Sequence, residues 1–180
     1  MINALKLKEK TDMWYKKLAN WIEKRNGMRE LYRKGTNGKP QLYLRRYYLI
    51  KSKYFELMLH QFFMSDAKDV HDHPWISFGR ILKTGYLEYL GDNEKCAYRL
   101  QGDWTCRDAN AFHRVKLISG TEGDVWTLFG TLKRTRNWGF LVNKEWVPFD
   151  EYFKANGTYE VQTLPEEYSG VILPTKKVSA

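Results

Sequence analysis

The chain reads as an all-β domain preceded by an amphipathic helix, and three features point there. Aromatic side chains make up 16% of the 180 residues, with twelve tyrosines and seven tryptophans, types that favour strands. From Gln41 onward, short aromatic and aliphatic runs recur between turn formers at the close spacing of a sandwich or barrel. The one long helical period lies before them, from Thr11 to about Arg25.

Each element follows from its local pattern. Trp14, Leu18, Trp21 and Ile22 stand at i, i+4, i+7 and i+8 with lysines between, which predicts a helix whose aromatic stripe lies on the body of the protein. Asn26-Gly27 ends it, and GTNGKP at 35–40 is a cluster of turn formers. QLYLRRYYLI and YFELMLHQFFM, joined by Lys51-Ser52-Lys53, predict an antiparallel hairpin. WISFGRILKTGYLEYL, KCAYRLQ, AFHRVKLI, VWTLFGTLK and NWGFLV supply further strands, with turns at Gly91-Asp92-Asn93, Gly102-Asp103, Ser119-Gly120 and Glu122-Gly123. FDEYF after Pro148 is a helical turn, and the stretch from Gly157 to Ala180 is polar and proline-punctuated. This divides the chain into a basic helical leader over 1–40, a barrel over 41–152 and a C-terminal extension over 153–180, a length suited to one core.

The formal charge of +9 is uneven: residues 1–56 hold 15 Lys+Arg against 5 Asp+Glu, and the rest hold 15 against 16. Such a segment supports weak, nonspecific binding to nucleic acid, or is simply a solvated face; no helix-turn-helix or zinc-finger spacing supports sequence-specific readout. No apolar run reaches the eighteen residues of a membrane span and MINALKLKEK lacks a secretion core, so a cytoplasmic protein without membrane contact is expected. Cys96 and Cys106 form no CxxC, which suits a reducing compartment.

Chemistry concentrates at HDHPW, residues 71–75, where two of four histidines stand one residue apart. On an extended backbone His71 and His73 point one way and Asp72 the other, where it can cap a turn or pair with a basic neighbour. His113 lies on AFHRVKLI and His60 on LMLHQFF. Neutral imidazoles suit transition metals, and three protein ligands leave positions open for exogenous groups.

The spacing resembles that of the cupin superfamily. From His71-Asp72-His73, four residues lead to Phe78 and six more to Gly85; then Gly102, five residues, Asp108-Ala109-Asn110 and two residues lead to His113. Both family motifs are therefore in order and in register, separated by the sixteen residues Tyr86 to Gln101. Phe78 stands at the place of the metal-binding Glu, Asp108 and Asn110 replace the Pro and Gly of the second motif, and Ser65 and Leu117 also depart. HDHPW, the strand from Gly85 to Tyr89, FHRV, VWTLF and NWGF together resemble small cupin-like proteins encoded in bacteriophage genomes.

The resemblance implies a double-stranded β-helix, or jelly-roll, barrel with a three-histidine face of His71, His73 and His113, similar to that of the thiol dioxygenases. Fe is the metal it favours, with Zn, Ni or Mn as alternatives. Glu88 is the catalytic candidate, as acid/base or further ligand, against the plainer reading of a solvent-facing strand carboxylate. His60, Phe78, Tyr86, Arg80, Arg134 and Arg136 are candidates for lining a ligand pocket, the arginines because a guanidinium forks onto carboxylate or phosphate. A dioxygenase-type enzyme acting on a small molecule is the expected function. The alternative is a non-catalytic module that binds or sequesters a small anionic ligand such as a nucleotide or sugar phosphate. A homodimer is expected by resemblance alone.

Overall fold

The computed structural model describes residues 14–35, 39–93, 95–156 and 160–161. Among these described residues two helices, α1 (Trp14–Glu23) and α2 (Phe149–Ala155), accompany twelve strands: β1 (Met28–Lys34), β2 (Pro40–Lys51), β3 (Phe55–Phe62), β4 (Ser77–Lys83), β5 (Gly85–Leu90), β6 (Lys95–Leu100), β7 (Trp104–Arg107), β8 (His113–Lys116), β9 (Val125–Leu132), β10 (Gly139–Val142), β11 (Glu145–Pro148) and β12 (Glu160–Val161).

Antiparallel pairing builds a seven-stranded sheet in the order β12-β1-β2-β3-β9-β4-β7, a three-stranded sheet β6-β5-β8 and the hairpin β10-β11. One residue joins the last two. His71 bridges His113 at the start of β8 on one side and Phe140 of β10 on the other. The His71 and His113 amides exchange hydrogen bonds at 2.9 Å, and Leu141 N donates to Val70 O at 2.9 Å. The HDHPW segment is thus the thread that continues the smaller sheet across to the hairpin. The result is the all-β, two-sheet jelly-roll architecture with an N-terminal helix that the sequence predicts.

The sheets enclose a core of Leu31, Leu44, Phe62, Ile81, Tyr86, Val115, Leu117 and Val125. α1 closes the outer face of the larger sheet, where Tyr15, Ala19 and Ile22 pack with Tyr47, Leu59 and Trp126. This stripe is i, i+4, i+7, shifted from the predicted one: Trp14 and Trp21 are 46% and 53% exposed. The two indoles flank the contact instead of filling it. Asn26, at φ 55, ends the helical segment as predicted. β1 lies inside the span assigned to the leader, yet it pairs with β2 from Met28↔Tyr47 to Lys34↔Pro40 and is part of the larger sheet. The leader before Trp14 and the extension from 162 onward lie outside the described residues.

Gly85, the first residue of β5, has φ 149, and a Cβ there would meet the Arg99 carbonyl of the paired strand. The close approach lets β6 pair with β5 from its first residue.

Candidate metal centre

His71, His73 and His113 each offer one ring nitrogen, and these three atoms lie within 4.8 Å of one another. The backbone makes this meeting. The paired His71 and His113 amides fix two of the rings side by side, with centroids 5.0 Å apart. Extended geometry returns His73 to the same side, 5.0 Å from each of the other two rings, while Asp72 turns away.

Nε2 of His73 and Nε2 of His113 are 2.8 Å apart. Two nitrogens each about 2.1 Å from a common ion lie about 3 Å apart, so this spacing fits a shared cation. Nδ1 of His71 is buried with no hydrogen-bond partner. His71 and His73 keep some access to solvent but are densely surrounded by protein, and this burial holds both well below the usual 6.5; neighbouring imidazoles and Arg107 push the same way. Neutral imidazoles with free lone pairs are the form that binds metal. The residues present therefore fit a divalent transition metal held by His71, His73 and His113.

Behind the ligands lies a charged frame. Glu88 is fully buried and accepts from Nδ1 of His113 at 2.9 Å. Its other partners are Arg99, whose Nε donates at 2.6 Å, and Arg107, which reaches across from the larger sheet. Burial opposes ionisation of Glu88, but the His113 hydrogen bond and the Arg107 charge outweigh it and bring the carboxyl down to about 2. An ionised acceptor on Nδ1 fixes the His113 tautomer with Nε2 free for an ion. Asp72, 1% exposed, does related work on the other side. It accepts from Gly139 N at 2.7 Å, Trp146 Nε1 at 3.0 Å and Arg136 at 2.5 Å, pinning the segment between the two ligand histidines to the β10-β11 hairpin.

The remaining predicted residues divide. His60 faces the interior from β3 and stacks on Phe129 at 4.7 Å, outside the ligand cluster. Glu88 is not solvent-facing and is not among the clustered ligand atoms; it orients one of them. Tyr86 is core, packed with Phe62 and Ile81.

Phe78 requires a correction. Ser77, Gly79 and Ile81 face the interior, so Phe78 points outward, stacked on Phe55 at 6.1 Å. The break at Pro74-Trp75 uncouples strand parity from the count that began at His73. The inward position is Ser77, fully buried with its Oγ unpartnered. Phe78 therefore stands at no ligand position and faces away from the interior where a ligand pocket was expected.

The arginine candidates are engaged elsewhere. Arg80 is exposed over Trp104, Arg134 bonds the Arg136 carbonyl and Asn137 on an exposed loop, and Arg136 is held by Asp72 and the Ala109 carbonyl. Sequence reasoning passed over Arg99, Arg107 and Arg46. Cross-strand pairing, which no local pattern announces, positions them: Arg99 through β5-β6, Arg107 through β4-β7 and Arg46 through the bulged β2-β3 ladder.

No family model matches the chain, and no curated protein matches it. Among solved structures, a cupin superfamily protein from Desulfitobacterium hafniense DCB-2 is similar over 50% of this chain and 77% of its own, at 16% identity and TM-score 0.41. KdgF from Halomonas sp. is similar over 51% and 80%, at 13% identity and TM-score 0.40. The FeII form of HppE is similar over 58% and 56%, at 15% identity and TM-score 0.45.

Proposed function

We propose that the protein binds a divalent transition metal, Fe in first place, through His71, His73 and His113, and acts on a small molecule as a dioxygenase-type enzyme. The observation that carries this reading is the convergence of three imidazole nitrogens within 4.8 Å, one of them oriented by an ionised, buried glutamate. Three protein ligands leave positions for exogenous groups, and the bound ion would supply Lewis-acid and redox chemistry there. The chain's own contribution is to keep His71 and His73 neutral, to hold His113 through Glu88, and to lock the HDHPW segment through Asp72. The HDHPW, FHRV, VWTLF and NWGF motifs resemble those of phage-encoded cupin-like proteins, and work in a host cytoplasm is part of the same proposal.

Metal analysis of purified protein, before and after incubation with Fe, Zn, Ni or Mn, tests the centre. One equivalent in the wild type and none in His113→Ala is the expected result. A wild type that holds no stoichiometric metal under any of these conditions overturns the reading.

The alternative is a non-catalytic module that sequesters a small anionic ligand, favoured by half-buried Arg46, whose Nε is buried with no hydrogen-bond partner. Oxygen consumption separates the two: steady turnover by the Fe-loaded protein excludes the second. A homodimer and weak nucleic-acid association through residues 1–56 belong to either reading. Sedimentation and salt-dependent DNA binding measure them.

A further inference from the structure

Away from the metal centre, three aromatic rings between the end of α1 and the β2-β3 turn each carry a cation on the ring face. The Arg25 guanidinium lies 4.0 Å over Trp21, Arg29 and Lys51 lie 5.8 Å and 4.7 Å from the Tyr48 ring, and Lys53 lies 4.9 Å from the Tyr54 ring. Their backbone is fixed. Tyr48 N donates to Gly27 O at 2.9 Å, which sets the end of α1 against β2, and Met28 pairs with Tyr47. Ser52 ties the β2-β3 turn, its Oγ accepting from Tyr54 N at 3.2 Å and from Phe55 N at 3.0 Å.

These groups face water and are short of countercharge. Trp21 is 53% exposed and Tyr54 59%, while Tyr48 is half-buried. Residues 21–56 hold ten Lys+Arg against Glu23, Glu30 and Glu56. Glu30 is taken by Arg45, and among the described residues no carboxylate forms an ion pair with Arg25, Lys51 or Lys53. Glu23, exposed on α1, and Glu56, across the ladder from Lys51, are the remaining acidic groups of the stretch. A flat ring beside an unpaired cation matches the two halves of a nucleotide, a base that stacks and a phosphate that carries charge.

We propose that this surface, built on Trp21, Tyr48 and Tyr54 with their cations, binds single-stranded nucleic acid without sequence preference. It deepens the association of residues 1–56 given above and rests on that reading, adding the form of the strand and the rings that receive it. A duplex fits poorly, because its bases stack on one another and leave only phosphates for the cations. An anionic membrane fits poorly as well. α1 buries Tyr15, Ala19 and Ile22 on the sheet, so the continuous apolar face that an interfacial helix inserts is already used.

The test is fluorescence anisotropy of full-length protein with labelled oligo-dT and oligo-rU of about 20 nucleotides, beside a DNA duplex of the same length, at low salt. Either single strand is expected to bind about tenfold tighter than the duplex, and the tighter of the two identifies the sugar. Trp21→Ala and Tyr54→Ala each weaken single-strand binding at least about fivefold and leave duplex binding unchanged, while Tyr54→Phe keeps the wild-type affinity. Lys51→Ala with Lys53→Ala weakens both forms and reduces the single-strand salt slope by about 1.4. Circular dichroism verifies that each surface variant is folded. Ring variants that bind single strands as the wild type does, or a duplex bound as tightly as the single strands, overturn the platform and leave charge-driven association standing. Phosphatidylserine vesicles that displace the oligonucleotide and lose affinity in Trp21→Ala overturn it in favour of a membrane. No binding to any nucleic acid at low salt overturns both the platform and the broader association.

Discussion

Glu88 serves His113, Arg99 and Arg107 with its two oxygens, so its charge matters twice. It answers a buried guanidinium, and it decides which nitrogen of His113 carries the proton. In Glu88→Gln the first role is lost and Arg107 is left buried without a countercharge. A destabilisation of about 3–5 kcal/mol follows, measured by urea denaturation of the metal-free protein. The second loss weakens metal binding by about 10–100-fold, read by competition with a chromophoric chelator. An unchanged metal affinity in folded Glu88→Gln would remove Glu88 from the centre. The three ligand histidines were legible because family spacing and strand alternation agree on them. Glu88 was legible as a candidate but not in its role, since its partners come from β6, β7 and β8 and no local pattern announces them.

At the scale of elements, β4 shows how parity overrides a counted motif. Phe78 lies on the outer face, where Gly130 of β9 stands directly opposite and leaves room for its ring. A Cβ at 130 would sit inside van der Waals contact with that ring. Gly130→Ala is therefore expected to destabilise by about 1–3 kcal/mol through overpacking. Phe78→Leu on that background recovers part of the loss, and a double-mutant cycle by chemical denaturation measures the coupling. Additive costs would mean that the two residues do not share the space. Phe78→Glu leaves metal affinity unchanged, because a carboxylate at 78 faces away from the histidines. β1 escaped detection for a related reason. MRELYRK is charged at Arg29, Glu30, Arg33 and Lys34, and Glu30 finds its partner, Arg45, on β2. Alone the segment reads as solvated leader; only the pairing with β2 makes it a strand.

The whole molecule encloses more titratable groups than an apolar barrel would, and this makes its stability depend on acid. His60, His71 and His73 are all held well below 6.5, in each case chiefly by burial. Above pH 6.5 each is neutral in both folded and unfolded chains and contributes nothing to the pH dependence. As pH falls below 6.5 the unfolded chain takes up protons that the folded chain refuses, so stability declines until the depressed folded values are reached. Each such histidine contributes a limiting slope of about 1.4 kcal/mol per pH unit, so three approach about 4. Glu88 acts at the acid end: its folded value of about 2 lies below the ordinary 4.5, so its contribution is complete above 4.5 and is lost as pH falls toward 2. Urea denaturation of metal-free protein at steps from pH 7.5 to 5 is expected to show this decline, and His60→Phe to reduce its slope by about one histidine's share, roughly 1.4 kcal/mol per unit. Metal loading deepens the same trend, because protons and the ion compete for His71 and His73, whereas His60 lies outside the cluster and keeps its share with or without metal. A stability that stays level between pH 7 and 5 in the metal-free protein would show that these imidazoles are not enclosed as neutral groups.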